Sequence, residues 1–434
     1  MWEGNLEMTI IWWAALIGLA VAIILILSRL NPVYALLMGT IVGALVGGAS
    51  LAQTVDIIVT GAQSVMGTVI RVLAAGVLAG VMMESGAADA IARAIVEKMG
   101  DRFAILALTL ATMIITGVGV FIPVAVLIVA PIALEVGQRM HISKLALLVA
   151  LSGGGKAGNL ISPNPNTIAA AKGFNLELSQ VMVADFIPAL FGLAMAVLLA
   201  TLLRHKGTQV TEADIAQQQT TTKDIPSLKT AIVTPLLAII LLLINPMGNI
   251  LHLKALQSFQ VDAMYILPIA GIVGTLAMGK ASHLLDYMKA GMNRMTDVVL
   301  ILIGAGSIAG LIGASNLPSQ VVSLVKASGI SGTFLAPISG ILMSAATAST
   351  STGVILATGS FSKPILAFGI PALGAAVMVH AGAMVIDQLP HGNYFHVTAN
   401  AMQMSFKERM QAVIWEACVG LTMTIVAVVM YGIL

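Results

Sequence analysis

The chain has 434 residues, 58% of them hydrophobic and 9% charged, with a mean hydropathy of +1.00 and a formal net charge of +2. Soluble domains carry about 25% charged residues, so a soluble globular protein is excluded. A membrane β-barrel is excluded too, because its strands alternate apolar and polar residues, whereas here the apolar runs are continuous and about 16–24 residues long, as helices crossing a core of roughly 30 Å require. The lipid bilayer is the expected environment, and no nucleic-acid partner is expected.

The first run, "MWEGNLEMTIIWWAALIGLAVAIILIL", lacks a basic leader region and a small-residue cleavage site, and is read as a retained helix with Trp12 and Trp13 at the interface. Apolar spans are predicted near 9–28, 33–50, 69–85 and 181–203, and again near 229–245, 262–279, 295–314 and 411–432. Between them lie four interrupted apolar segments, 103–138, 143–173, 332–364 and 366–403. The polar stretch "RHKGTQVTEADIAQQQTTTKDIPS" reads as a linker near the middle of the chain. The single cysteine, Cys418, lies in the last apolar run, where no intrachain disulfide is available and packing is its expected role.

The two sides of the linker resemble each other. "AAGVLAGVMMES" (74–85) aligns with "GAGSIAGLIGAS" (304–315), with Gly76/Gly306, Gly80/Gly310 and Ser85/Ser315 identical. Each is followed by an amphipathic stretch, an interrupted pair and a second interrupted helix, "SPNPN" matching "LPHGN". The expected domains are an N-terminal half (1–203), a cytoplasmic linker (204–228) and a C-terminal half (229–434). With the N-terminus outside, Arg29, Lys144, Arg294, Arg409 and most other basic residues fall on the cytoplasmic side. Arg71, Lys172, Lys254, Lys326 and Lys363 fall outside, a bias of roughly three to one. That arrangement places both termini in the periplasm. It needs 103–138 and 332–364 to be re-entrant hairpins, and 143–173 and 366–403 to be single broken crossings. The expected fold class is thus all-α and polytopic, with two inverted-topology repeats, the plan of secondary transporters.

Backbone that leaves a helix cannot face lipid, so breaks at membrane depth line protein or a wet cavity. Four breaks are predicted: "TGVGVFIP" (116–123), "SGGGKAGNLISPNPN" (152–166), "SAATASTSTG" (344–353) and "HAGAMVIDQLPHGN" (380–393). In the second, prolines remove amide donors, glycines such as Gly153 permit sharp turns, and half-helix N-termini aim N–H groups at an anion. Ser152, Asn159, Ser162, Asn164, Asn166 and Thr167 would hydrogen-bond hydroxyls or a carboxylate, and Lys156 would supply the positive charge. Thr347, Ser349, Thr350, Ser351 and Thr352 are too many hydroxyls for local back-bonding alone and are expected to contact substrate. Asp387, His380 and His391 are candidates for the coupling proton, because an ionisable group at membrane depth is functional by default. Pro390 and Gly392 spoil helical metal-ligand spacing for Asp387, His391 and His396, so no metal site is expected. No nucleophile–base pair for an intramembrane enzyme emerges, and Asp185 with Pro188 reads as a helix start.

"LSGGGKAGNLISPNPNTIAAAKGF", "MSAATASTSTGVILA" and "VHAGAMVIDQLPHGNYFH" resemble signature segments of the gluconate permease family of bacterial proton symporters, part of the ion transporter superfamily. The resemblance covers nearly the whole chain. It implies an inner-membrane symporter, without cofactor, that carries gluconate, related sugar acids or short hydroxy acids. It further implies an elevator-type transport domain and a homodimer. Sodium-coupled carriers of the superfamily carry Ser-Asn-Thr at their hairpin tips. Here the tips read "GVGVFIP" and "ASTSTG", which weakens the case for sodium, the alternative to protons. A channel, the remaining alternative, would need a continuous pore.

Overall fold

The computed structural model describes residues 10–216, 225–259, 261–328, 331–390 and 392–433. Helix α1 (Trp12–Leu27) turns back into α2 (Pro32–Val46), which opens on a proline and an Asn31 side chain that accepts from the Val33 amide at 3.0 Å. Gly18 on α1 and Gly39 on α2 lie backbone to backbone, leaving no room for a side chain between the two helices. A Ser50–Gln53 capping box starts α3 (Leu51–Ser64), which runs on into α4 (Met66–Glu84). The amphipathic α5 (Ala87–Met99) lies at 107° to the segment that follows it. That segment is a hairpin of α6 (Ala104–Gly117) and α7 (Ile122–Met140). A broken helix follows, α8 (Lys144–Leu160) and α9 (Pro165–Gly173), then α10 (Leu178–Ala184) and α11 (Phe186–Leu202), bent by 46° at Asp185.

After short helices α12 (Glu212–Ala216) and α13 (Leu228–Ala231) comes α14 (Val233–Leu251). The one-turn α15 (Lys254–Gln257), α16 (Ala263–Ala277), the 30-residue α17 (Leu284–Gly313) and α18 (Leu317–Ser328) follow. A second hairpin, α19 (Leu335–Thr347) and α20 (Thr350–Leu366), precedes a second broken helix, α21 (Ala372–Ala383) and α22 (Asn393–Ala401), and the closing α23 (Phe406–Val428). The order repeats: α2 answers to α16, α5 to α18, α6–α7 to α19–α20 and α9 to α22, each about 230 positions apart.

Two groups of helices stand out, joined where α17 packs on α20. In one, α17 lies against α2, α3 and α4, and α4 also against α16. Small residues set the spacing, with Gly76 and Gly80 meeting Gly291, and Gly61 meeting Gly306 and Gly310. In the other, α8 is enclosed by α6, α7, α11 and α23, and α21 by α19, α20 and α23. The halves of the chain cross over: α7 touches α22 and α20 touches α9, so each hairpin rests on the last part of the other half's broken helix. Among the described residues six helices are long and apolar enough to cross a membrane, or up to eight if each of two bent pairs is one span. The chain is therefore a polytopic all-helical membrane protein.

Three elements differ from expectation. Helix α3 is absent from the predicted spans, α17 begins at Leu284 rather than near 295, and the expected continuous span 181–203 is bent at Asp185. The fourth difference concerns the glycine run. Gly153, Gly154, Gly155 and Gly158 do not open a turn, because α8 stays helical to Leu160 and the break is confined to 161–164. Gly154 and Gly158 instead lie against the Thr109 and Met113 carbonyls of α6, Gly153 against Ala196 of α11, and Gly155 against Ile122 of α7. The glycines let three helices close on α8, every residue of which is buried.

Candidate functional site

The four breaks are built differently. At the first, Asn164 folds back: its Nδ2 donates to the Asn159 carbonyl at 2.8 Å and to the Asn159 side-chain oxygen, while its Oδ1 accepts from the Asn166 and Thr167 amides at 2.8 and 3.1 Å. The N-terminus of α9 is thus closed by its own cap rather than aimed at an anion, contrary to the sequence expectation. Ser349 likewise caps α20 through the Thr352 amide at 3.3 Å. The turn before it is made by Ala348 in the left-handed region, φ 46°, against which Gly392 packs with no space for a Cβ. Helices α7 and α22 start differently. Phe121 and Gly392 precede them with no side-chain cap.

These ends surround a cavity of about 790 Å³. Of the residues singled out by sequence, Asn159, Asn166, Thr347, Ser349, Thr350, Ser351, Thr352 and Asp387 line it. Ser351 donates to Asn166 Oδ1 at 2.5 Å, joining the hairpin of one half to the broken helix of the other. Ser152, Gly153, Lys156, Ser162, Asn164, Thr167 and His380 do not line it. His391 lies outside the described residues.

Lys156 is wholly buried beneath the cavity wall, and its Nζ donates to Asp387 Oδ1, to the Met384 carbonyl at 2.5 Å and to Gln388 Oε1 at 2.8 Å. Asp387, 1% exposed, also accepts from the Thr350 hydroxyl at 2.5 Å. The lysine expected to meet substrate directly is therefore held by the aspartate expected to carry the proton. The two sequence candidates form one unit across the two halves of the chain.

The chain matches the model of the GntP family permease over residues 8–434. It belongs to the GntP permease family. It is 47% identical to an uncharacterized transporter of Haemophilus influenzae, over 96% of this chain and 97% of that one. It is 23% identical to the high-affinity gluconate transporter of Escherichia coli, over 87% of each. The Alcanivorax borkumensis YdaH transporter shares the fold, with a TM-score of 0.63 at 15% identity over 88% of this chain and 89% of that one. This GntP permease is a secondary transporter and not an enzyme.

Two buried polar clusters of the permease went unread in the sequence. Arg409, counted there only among the basic residues of the cytoplasmic side, is fully buried and pairs with Glu416 at 2.7 and 3.2 Å. Its guanidinium also stacks over Phe395 at 4.9 Å. Glu416 accepts from Ser152 at 2.5 Å, and the Tyr394 hydroxyl lies 2.5 Å from Ser152, which accounts for that serine without substrate. The Arg–Glu spacing of seven on one apolar helix was the available signal. In the second cluster Asp185 stands where the sequence placed a helix start, immediately before α11, but its side chain makes no capping bond there; its Oδ2 lies 2.9 Å from His380 Nδ1, both residues being fully buried. Ser162 is buried in the first break, and its hydroxyl has no partner among the described residues.

Proposed function

We propose that this permease is a proton-coupled symporter of a small hydroxylated monocarboxylate, gluconate or a related hydroxy acid, in the bacterial inner membrane. One observation carries the reading: a cavity walled by hydroxyls and carboxamides from both halves, set against a buried Lys156–Asp387 pair. Thr347, Ser349, Ser351 and the carboxamides of Asn159 and Asn166 are donors and acceptors suited to a polyhydroxy chain. The uncapped starts of α7 and α22 place the positive ends of two helices at the same cavity. Lys156 supplies the charge for a carboxylate and Asp387 the site for a proton. Gluconate is named by a relative and fits this chemistry.

In this reading the two halves are antiparallel repeats with re-entrant hairpins. The body holding the hairpins and broken helices slides against the body built on α17, exposing the cavity alternately to each side. The test is uptake of labelled gluconate into proteoliposomes under an inward proton gradient without sodium. Accumulation that a protonophore abolishes is expected. Accumulation that requires sodium and ignores the protonophore would overturn the proton coupling.

A further inference from the structure

The Lys156 ammonium has three hydrogens and three acceptors, Asp387, the Met384 carbonyl and Gln388 Oε1. None is left for a fourth ligand. Gln388 is fixed from its other side as well, its Nε2 donating to the carbonyls of Val385 at 3.2 Å and Val413 at 3.0 Å. Asp387 and Thr350 line the cavity, whereas Lys156 does not. At this end of the cavity a carboxylate thus meets the aspartate, a like charge, and a lysine already neutralised.

We infer that the proton and the substrate carboxylate exchange for one another at Lys156: protonation of Asp387 releases the ammonium, and the substrate carboxylate takes the vacated place. The inference rests on the proposed transport of an organic anion and names what regulates that same site. Its physical basis is charge balance in a buried space. A proton alone leaves Lys156 buried without a counter-charge. A carboxylate alone adds a second anion beside Asp387. Only the two together keep the site neutral, so each raises the affinity for the other by the same factor. The proton sits on Asp387, which then donates or accepts within reach of Thr350, and no bond other than that O–H is formed.

The other charged groups near the pair do not supply this exchange. Glu416 is held by Arg409, and Tyr394, whose ring centroid is 6.0 Å from Lys156 Nζ, is a phenol. His396 on the cavity wall is bonded to the Pro390 carbonyl at 2.8 Å. Arg29, in the turn after α1, and Arg294 and Asp297, on α17, also line the cavity, with Arg294 paired to Glu84 at 2.7 Å.

The experiment is calorimetric binding of gluconate to the full-length permease in lipid nanodiscs at several pH values, in buffers of different ionisation enthalpy. One proton taken up per gluconate is expected, with affinity rising about tenfold per unit fall in pH wherever that uptake is complete. Asp387→Asn is expected to bind gluconate with affinity independent of pH and no proton uptake. Gluconate binding by the wild type with no proton uptake overturns the exchange and leaves an organic-anion carrier standing, and that measurement does not depend on the variant folding. A proton-linked slope retained by Asp387→Asn overturns it equally. No gluconate binding at any pH, in either protein, overturns the substrate reading on which the exchange rests.

Discussion

Arg409 and Glu416 show what single residues contribute in this fold. Both are fully buried, so their pairing offsets a desolvation cost that neither could bear alone. Arg409→Met is expected to destabilise the permease by about 3–5 kcal/mol, because it strands a carboxylate in the interior. Arg409→Met with Glu416→Met is expected to recover most of that loss, read as the thermal unfolding midpoint in detergent. A double variant no more stable than the single would show that the two side chains are not a unit. Gly154 is the packing counterpart. A Cβ there would collide with the Thr109 carbonyl, and Gly154→Ala must push α6 from α8, an overpacking cost of about 1–3 kcal/mol by the same measurement. Residue types at membrane depth were legible in the sequence, and their partners were not. Lys156 and Asp387 stood out as ionisable residues in apolar runs, yet 231 positions separate them and only the crossing of the two halves joins them. Glycine is ambiguous in the same way, because the absence of a Cβ serves a sharp turn and a close helix contact equally.

Among elements, those that face lipid along their length were read to within a few residues, since continuous apolar runs admit one interpretation. Helix α3 escaped because "LAQTVDIIVTGAQS" is mixed in polarity and buries only Thr54, Ile57 and Gly61, against α17. The segment after α11 departs from a simple tether. The Ser143 amide donates to the Arg204 carbonyl at 2.8 Å and the Lys144 amide to the Thr208 carbonyl at 2.9 Å. Lys144 Nζ reaches Asp214 at 2.7 Å and the Gln403 carbonyl at 2.9 Å, and Thr208 bonds Glu408 at the start of α23. The strap therefore ties the first broken helix to the end of the second. Partial burial pushes the Asp214 carboxyl up, but hydrogen bonds from Lys144 and Thr211 and the lysine's charge together outweigh it and hold it below the ordinary value of 3.8. A lowered carboxylate stabilises the fold above its unfolded pKa, and that contribution fades as pH falls through the lowered value. The carboxylate is accordingly expected to contribute fully to docking from neutral pH down to the ordinary carboxylate range, and progressively less below it. Lys144→Met is expected to speed amide exchange across 208–214 by roughly tenfold or more at neutral pH, since a charged hydrogen bond is lost. Exchange unchanged by that substitution would mean that the backbone bonds alone hold the strap.

At the scale of the whole molecule, the 790 Å³ cavity has a counterpart of about 450 Å³, lined by Asp56, Thr60, Lys172, Thr358 and Lys363. Three helices pass from one to the other. On α17 the first cavity ends at Ile301 and the second begins at Leu302; on α20 the change comes between Thr352 and Ile355, and on α9 between Asn166 and Ala169. A gap of three residues is about 4.5 Å of helix, so one turn separates two spaces that lie end to end. The charges on the two walls differ in origin. Arg29 and Arg294 border the first cavity, and the loop-charge bias assigns them to the cytoplasm; Lys172 and Lys363 border the second and were assigned outside. On that assignment the cavities would open to opposite faces, as alternating access uses them, and thiol labelling tests the faces directly. In a Cys418→Ser background, Asp297→Cys is expected to react with a membrane-impermeant maleimide in inside-out vesicles and to be protected in intact cells. Thr60→Cys is expected to show the reverse. Labelling of both positions from one face would place both cavities on the same side of the membrane and remove the path that the thin barrier between them implies.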